Sequence, residues 1–179
     1  MTDKERLLDE YLVLVARDGD RDALRQLYQR HHRPLLNHAY RLCGRRSDAE
    51  DIVQSAWGEI MTRLDQLQNP AAFRAWAYRL VTGKAGRLMR REMAERRRDA
   101  QLPEPDAPLS PDKAAEHGEL RAAIAALPTA QRATVSLFYL DGLSLGEIAA
   151  VLQIPVGTAK TRLMHARHKL RETIEGDEQ

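Results

Sequence analysis

The residues best placed to do chemistry lie in one cationic stretch near the C-terminus. Five basic residues and no acidic residue occur between Pro155 and Arg171. At the helical period of about 100° per residue, one face of this stretch is apolar. The opposite face carries small, polar or adaptable side chains: Gly157, Thr161, Met164, His165 and His168. A face of this kind, edged by cations, can enter a major groove and hold the phosphates beside it. The stretch therefore predicts a DNA-reading helix.

The residues before this stretch predict the elements that would position it. Ser144-Leu145-Gly146-Glu147 has the form of a capping box that opens a short helix. Gln153-Ile154 then predicts a turn, and Pro155 suits the first position of the next helix, where its missing N–H costs nothing. The inward face of that next helix would be Ala159, Leu163, Ala166 and Leu170. Two helices joined so tightly indicate a helix-turn-helix over about residues 143–170, whereas a basic helix by itself commonly lies on a solvated surface without binding DNA.

Three histidines and a cysteine form the other group with possible chemistry. His31, His32, His38 and Cys43 match no closed tetrahedral spacing, and the chain has a single thiol. The sequence also lacks a phosphate-cradling glycine loop, a nucleophile elbow and an H-E-x-x-H motif. We therefore expect no metal, no cofactor and no enzymatic activity.

Hydrophobic periodicity predicts an all-α fold made of two small helical domains. The first helix ends at Asp18-Gly19-Asp20, and the second ends at Gly44. A third is expected to begin at Ser47, because Ser47-Asp48-Ala49-Glu50 also has the form of a capping box. A fourth is expected near Ala71, after the Asn69-Pro70 turn. In the second domain, Thr129 is expected to cap a helix that runs to about Asp141.

A change of composition predicts the domain boundary. The segment 84–98 is rich in arginine, and four prolines follow between Gln101 and Asp112. Prolines so close together exclude a helix and indicate a semi-extended linker. We therefore expect domains at residues 1–99 and 118–175, with the linker at 100–117.

Composition also bears on location. The chain has 179 residues, a net charge of +2 and one cysteine, which fits a reducing compartment. No apolar run approaches the roughly 20 residues needed to cross a bilayer, and the charged N-terminus resembles no signal peptide. We expect a cytoplasmic protein with no membrane insertion.

Segments of both predicted domains resemble a known protein family. LSLGEIAAVLQIPVGTAKTRLMHARHKLR is similar to region 4, the promoter-reading domain of sigma-70-type transcription initiation factors, and most similar to the extracytoplasmic-function (ECF) class. DGDRDALRQLYQRHH, SDAEDIVQSAWGEIM and FRAWAYRL resemble region 2 of the same family. The segments occur in the family's order, with a linker where the family has one.

The resemblance implies a function and partners. Such a chain binds core RNA polymerase and directs promoter-specific transcription; its DNA partner is double-stranded at one element and locally melted at another. It implies an anti-sigma protein as a further partner. In region 4, it implies contacts to minus-35 bases by Lys160, Thr161, Met164 and His165, and to phosphates by Arg162 and Arg167.

For region 2, the resemblance implies contacts with polymerase and with the minus-10 element. Asp48, Asp51 and Gln54 occupy positions near the polymerase contact, although both acids also suit a helix N-terminus. The loop 65–72 matches the family's base-capturing loop. The minus-10 candidates are Gln68, Asn69, Trp76, Tyr78, Arg79, Lys84, Arg87, Arg90 and Arg91. Of these, Trp76 is expected to be core with one edge exposed, and Tyr78 and Arg79 to lie on the surface.

One segment departs from the family. Where the family commonly has YRIARNxxxDxLRR, this chain has YRLVTGKAGRLMRR, with Gly83 for the Asn and Arg87 for the Asp. The expectations are therefore an unusual minus-10 sequence or a helix that bends here, while the arginines would still bind phosphate.

Two other functions remain open from the sequence alone. One is a stand-alone helix-turn-helix regulator with a helical sensor domain, which would usually bind DNA as a dimer. The other is a helical adaptor that binds only proteins, with the basic face serving solvation.

Overall fold

Two glycine turns separate the first three helices of the N-terminal domain. In the computed structural model, which describes residues 3–98, 123–124 and 126–176, Gly19 and Gly44 have φ of 95° and 76°. Only glycine adopts this left-handed backbone without strain. Helix α1 spans Asp3–Arg17, α2 Arg21–Cys43, α3 Arg46–Arg63 and α4 Phe73–Arg98. Short 3₁₀ turns at Leu64–Gln66 and Pro70–Ala72 join α3 to α4.

Helix α2 lies at the centre of this domain and packs against α1, α3 and α4. Its apolar positions Leu27, Leu35 and Ala39 are fully buried. The helices packed against α2 also bury apolar side chains: Val13, Val53, Ile60, Phe73 and Val81. The amphipathic periods expected from the sequence therefore form one helical core.

Buried polar groups link these helices. Asp9 on α1 is buried against α2, with its Oδ1 2.7 Å from Arg30 Nε and its Oδ2 2.9 Å from His31 Nε2. His38 lies 2.9 Å from the Thr82 hydroxyl of α4. Two of the histidines considered as metal ligands thus make structural contacts, and the described residues contain no His, Cys, Asp or Glu cluster fit for a metal.

The start of α3 differs from the prediction. The helix begins at Arg46 with Arg45 in the cap position, and Ser47 is not the cap. Arg45 pairs with Asp48, and Arg46 pairs with Glu50. These two ion pairs stabilise a first helical turn that begins one residue before the predicted start at Ser47. Glu50 contacts Arg46 and does not accept from the backbone as a capping box would require.

Helix α4 is continuous through the segment that departs from the family. It passes Gly83 and Gly86 without interruption and ends at Arg98. The two glycines lower helix propensity by about 1 kcal/mol each relative to alanine. Tertiary packing of α4 on α2 and α3 outweighs this cost.

The C-terminal domain is a second, separate helical unit. The chain divides into two compact units at about residue 109. Helix α5 spans Thr129–Val135 and continues into a π-helical turn at Ser136–Leu140; α6 spans Leu145–Leu152 and α7 Val156–Gly176. Leu127, Val135, Leu163 and Ala166 form its core, with Phe138, Leu145 and Leu170 packed against them.

Two helix starts in this domain are shifted by one residue from the prediction. Thr129 is the first residue of α5, and Pro128 precedes it without a side-chain cap. Pro155 precedes α7, and its carbonyl accepts from the amide of Ala159. Shifts of one residue are common at helix ends.

The all-α prediction is confirmed across the described residues, none of which forms a strand. The expected linker at residues 100–117 lies outside them. No helix among the described residues is both long and apolar enough to cross a bilayer.

Candidate nucleic-acid interface

The capping box at Ser144 fixes the start of the helix-turn-helix. The amide of Glu147 donates to Ser144 Oγ at 3.2 Å, and the amide of Ser144 donates to Glu147 Oε2 at 2.7 Å. At the other end of α6, Gln153 takes a left-handed backbone with φ of 54°, and the amide of Ile154 donates to the carbonyl of Ala149. The turn residues predicted from the sequence therefore direct the chain into α7.

Helix α7 has the two faces that its sequence predicts. Ala159, Leu163 and Ala166 are buried. Lys160, Thr161 and His165 are exposed, and Met164 is 59% exposed. Arg162 is half-buried at the border between the two faces. The four predicted base readers therefore share one accessible surface, which we call the α7 reading face.

Arg167 has contacts that sequence reasoning missed. Its Nε donates to the Tyr139 hydroxyl at 2.6 Å, and its guanidinium lies 5.6 Å and 5.5 Å from the ring centroids of Phe138 and Tyr139. The two aromatic residues sit on the π-helical turn, and Tyr139 remains 53% exposed. They orient the guanidinium while its two terminal nitrogens can still serve a phosphate.

In the N-terminal domain, α4 presents a second cationic surface. Arg79, Arg87, Arg90 and Arg91 are exposed, and Arg91 pairs with Glu95. Lys84 differs, because its ammonium lies 2.9 Å from Glu59 and its side chain is only 15% exposed. The hydrogen bond from Lys84 lowers the pKa of Glu59. Because Glu59 lies on α3 and Lys84 on α4, this pair joins the two helices.

Tyr78 is in the core, and its predicted surface position is wrong. The residue is 1% exposed, and its ring lies 5.0 Å from that of His38. It shares the inward face of α4 with Val81 and Ala85. Trp76 is half-buried with its ring 6.3 Å from Phe73, which matches the expectation of a core residue with one edge exposed.

The loop between α3 and α4 exposes two amide side chains. Gln68 and Asn69 are both exposed, and Asn69 Oδ1 accepts from the amide of Ala71 at 3.1 Å. Arg17, at the end of α1, donates to the carbonyl of Leu67 at 3.2 Å. The loop is therefore held before Gln68 by Arg17 of α1 and after it by the hydrogen bond between Asn69 and Ala71.

The predicted polymerase contacts lie on α3 near this second cationic surface. Asp48, Asp51, Lys84 and Arg87 line one shallow groove between α3 and α4. Asp48 is half-buried and accepts from Arg45, whose guanidinium also contacts Glu92 on α4. Asp51 and Gln54 are exposed. The acids thus occupy one accessible edge of the first domain.

Comparison with known families identifies both domains. Residues 27–95 match the family model for sigma-70 region 2, and residues 117–170 match that for sigma-70 region 4. The chain belongs to the sigma-70 family. Within it, the chain belongs to the ECF class, as its relatives do.

Relatives and solved structures agree with this assignment. The chain is 29% identical to the ECF RNA polymerase sigma factor SigW of Bacillus subtilis over 180 residues, which cover 90% of this chain and 94% of SigW. It resembles CnrH, solved in complex with the cytosolic domain of CnrY, with a TM-score of 0.69 and 27% identity over 95% of this chain and 99% of that one. The fold also resembles the sigma factor RpoE of Bartonella quintana, solved with the anti-sigma factor NepR, with a TM-score of 0.71 and 22% identity over 84% and 96% of the two chains.

Proposed function

We propose that this chain is an ECF sigma factor that binds core RNA polymerase and directs promoter-specific, DNA-templated initiation of transcription. The observation that carries this proposal is the presence of regions 2 and 4 on one chain in the family's order. A stand-alone regulator would have no need of region 2, and an adaptor would have no need of an exposed reading face beside a basic border. Neither alternative is favoured.

We assign separate tasks to the two domains. The α7 reading face docks in the major groove of the minus-35 element, where Thr161, Met164 and His165 meet base edges and Lys160 lies beside them. In the first domain, the loop residues Gln68 and Asn69 and the exposed arginines of α4 engage the opened minus-10 element. Binding at one element raises the effective concentration of the other domain at its own.

The proposal includes partners and a location. Core polymerase is expected to contact Asp48, Asp51 and Gln54 on α3. A protein partner is expected to mask the sigma factor until it is needed, as CnrH is found with CnrY. The chain works in the cytoplasm, where polymerase meets chromosomal DNA, and it contributes specificity without catalysis of its own.

Run-off transcription tests the proposed function. Purified chain and core polymerase are supplied with a genomic promoter library, and the transcripts are sequenced. Start sites sharing an upstream and a downstream element at a constant spacing are expected. Transcription no greater than that of core polymerase by itself would exclude a sigma factor.

The α7 reading face makes a specific prediction about bases. Thr161→Ala or His165→Ala is expected to change base preference in the minus-35 element, with about 1–3 kcal/mol of discrimination lost at the contacted position. Both side chains are exposed, so the fold should be unaffected. The measurement is binding to a set of singly substituted minus-35 duplexes. Equal losses on every duplex would show that neither residue reads a base.

Tyr139 makes a separate prediction about phosphates. Tyr139→Phe removes the hydroxyl that accepts from Arg167 but keeps the ring beneath its guanidinium. Affinity for all minus-35 duplexes is expected to fall by a similar factor of about 2–10, since one hydrogen bond that orients a phosphate ligand is lost. Arg167→Ala is expected to weaken all of them further and to reduce the salt dependence by about one unit of log–log slope. A change of base preference in either variant would contradict this role.

A further inference from the structure

The loop between α3 and α4 is held by a helix that lies before the segment matched to region 2. The region 2 match begins at residue 27, whereas α1 ends at Arg17. The guanidinium of Arg17 donates to the carbonyl of Leu67, 50 residues further along the chain. Helix α1 also packs against the 3₁₀ turn at Pro70–Ala72. Both ends of the exposed segment Gln68–Asn69 are therefore fixed on α1.

The amide of Asn69 has a defined orientation in this loop. Its Oδ1 accepts from the amide of Ala71 at 3.1 Å. A backbone N–H requires an acceptor, so the oxygen faces the 3₁₀ turn and the NH₂ group faces away from it. Asn69 therefore presents its NH₂ donors outward, which suits a base that offers an acceptor on its edge.

We propose that Arg17 is a positioning residue for base selection in the minus-10 element, holding the loop so that the NH₂ of Asn69 donates to an unpaired base. This inference rests on the proposed function. In this role Arg17 contacts no base itself. It holds the carbonyl of Leu67, immediately before the exposed side-chain amides of Gln68 and Asn69. Its loss frees the loop and blurs selection without removing any base-reading group.

Replacing Arg17 tests the positioning role. Run-off transcription with core polymerase is measured on a promoter and on copies singly substituted at each minus-10 and minus-35 position. In Arg17→Ala, the activity ratio between the preferred and the substituted minus-10 base is expected to shrink about threefold to tenfold, the effect of one charge-assisted hydrogen bond. The minus-35 ratios are expected to stay as in the wild type. Arg17→Lys keeps a charged donor and is expected to give an intermediate ratio.

Arg25→Ala is the matched control. Arg25 is an exposed arginine of the same domain that pairs with Asp22 on its own helix. The Arg25→Ala variant loses the same positive charge as Arg17→Ala. It is expected to leave the activity ratios at both the minus-10 and the minus-35 positions unchanged. Unchanged minus-10 ratios in Arg17→Ala, or an equal change in Arg25→Ala, would overturn the positioning role.

Asn69→Asp separates the two functions of the Asn69 amide. Aspartate keeps an oxygen for the amide of Ala71 but has no NH₂ donors. Preference at one minus-10 position is expected to be lost, while preferences at the other positions remain. A uniform drop at all positions would reflect only the added negative charge and would overturn donation by Asn69.

Failure of the proposed function and failure of this inference give different results. If the wild-type chain gave no promoter-directed transcription, the proposed function itself would be wrong. If the wild type were active but the variants kept its activity ratios, only the inference would be wrong.

Discussion

Asp51→Arg is expected to weaken binding to core RNA polymerase by at least about 30-fold, the factor that corresponds to about 2 kcal/mol for reversing a charge in a complementary interface. Asp51 is exposed on α3 beside Asp48 and Gln54. A basic surface on the polymerase would gain from the carboxylate and would be repelled by the guanidinium. Affinity is measured by fluorescence anisotropy of the labelled chain titrated with core polymerase.

The position of Asp51 in its helix makes this test selective. Asp48 lies in the first turn of α3, where a carboxylate is favoured by the helix dipole and is also engaged by Arg45. Asp51 lies beyond the first turn, where the dipole effect fades. Its replacement should therefore leave stability unchanged, whereas a variant of Asp48 would mix folding with binding.

Asp22→Arg serves as the control for charge. It makes the same change of charge on α2, where Asp22 pairs with Arg25 at the surface. Its affinity for polymerase should remain within about twofold of the wild type, because no polymerase contact is proposed for α2 and a charge outside the interface changes affinity little. If Asp51→Arg and Asp22→Arg bound polymerase equally well, the α3 acids would have no part in the contact.

The second large effect is expected in the core, where Asp9→Asn should destabilise the N-terminal domain by about 2–4 kcal/mol. Asp9 is buried between Arg30 and His31, and loss of its charge removes the anionic partner that both side chains share. For a domain of this size, the midpoint of thermal unfolding should fall on the order of 10 °C. Both tryptophans of the chain, Trp57 and Trp76, lie in this domain, so their fluorescence reports its unfolding in the intact protein.

The same residue gives a dependence on pH. Burial by itself raises the pKa of Asp9, but the hydrogen bonds and charges of His31 and Arg30 outweigh burial and lower it below 3.8. A carboxyl with a lowered folded pKa contributes its full stabilisation above the ordinary value, and this contribution is lost as pH falls through the folded pKa. The difference in stability between wild type and Asp9→Asn should thus be constant near neutrality and should close below about pH 4.

Asp22→Asn is the matched control for this pair of measurements. Its carboxyl is exposed and pairs only across one helical turn with Arg25. Its substitution should shift the unfolding midpoint by no more than about 2–4 °C, as expected for about 0.5 kcal/mol or less. A difference between wild type and Asp9→Asn that widened in acid would mean that the carboxyl is not stabilised as an anion.

Local sequence patterns predicted helix positions well where no charged neighbour competed. Ser144 and Ser47 both stand three residues before a glutamate. Ser144 forms both bonds of the capping box, because no arginine precedes it. Ser47 follows Arg45 and Arg46, which draw Asp48 and Glu50 into ion pairs and move the helix start upstream. The motif was the same, and the competing electrostatics decided the outcome.

The faces of helices were also predictable, but contacts between distant residues were not. The inward face of α7 follows from its period, and the buried position of Tyr78 was available from its spacing to Val81 and Ala85. The bonds of Arg167 to Tyr139 and of Arg17 to Leu67 cross 28 and 50 residues, and no local pattern announces them.

The π-helical turn at Ser136–Leu140 makes the C-terminal domain sensitive to chain length. Its wide turn, closed by the bond from the amide of Asp141 to the carbonyl of Ser136, holds one residue more than an α-helical turn would. That extra residue lets Phe138 pack on the core while the adjacent Tyr139 meets Arg167. Deletion of a single residue here would restore α-helical spacing and rotate Tyr139 away from Arg167 by roughly a quarter turn. A change of length at this turn would therefore remove the support of Arg167, a predicted phosphate ligand, without replacing any of the predicted DNA contacts.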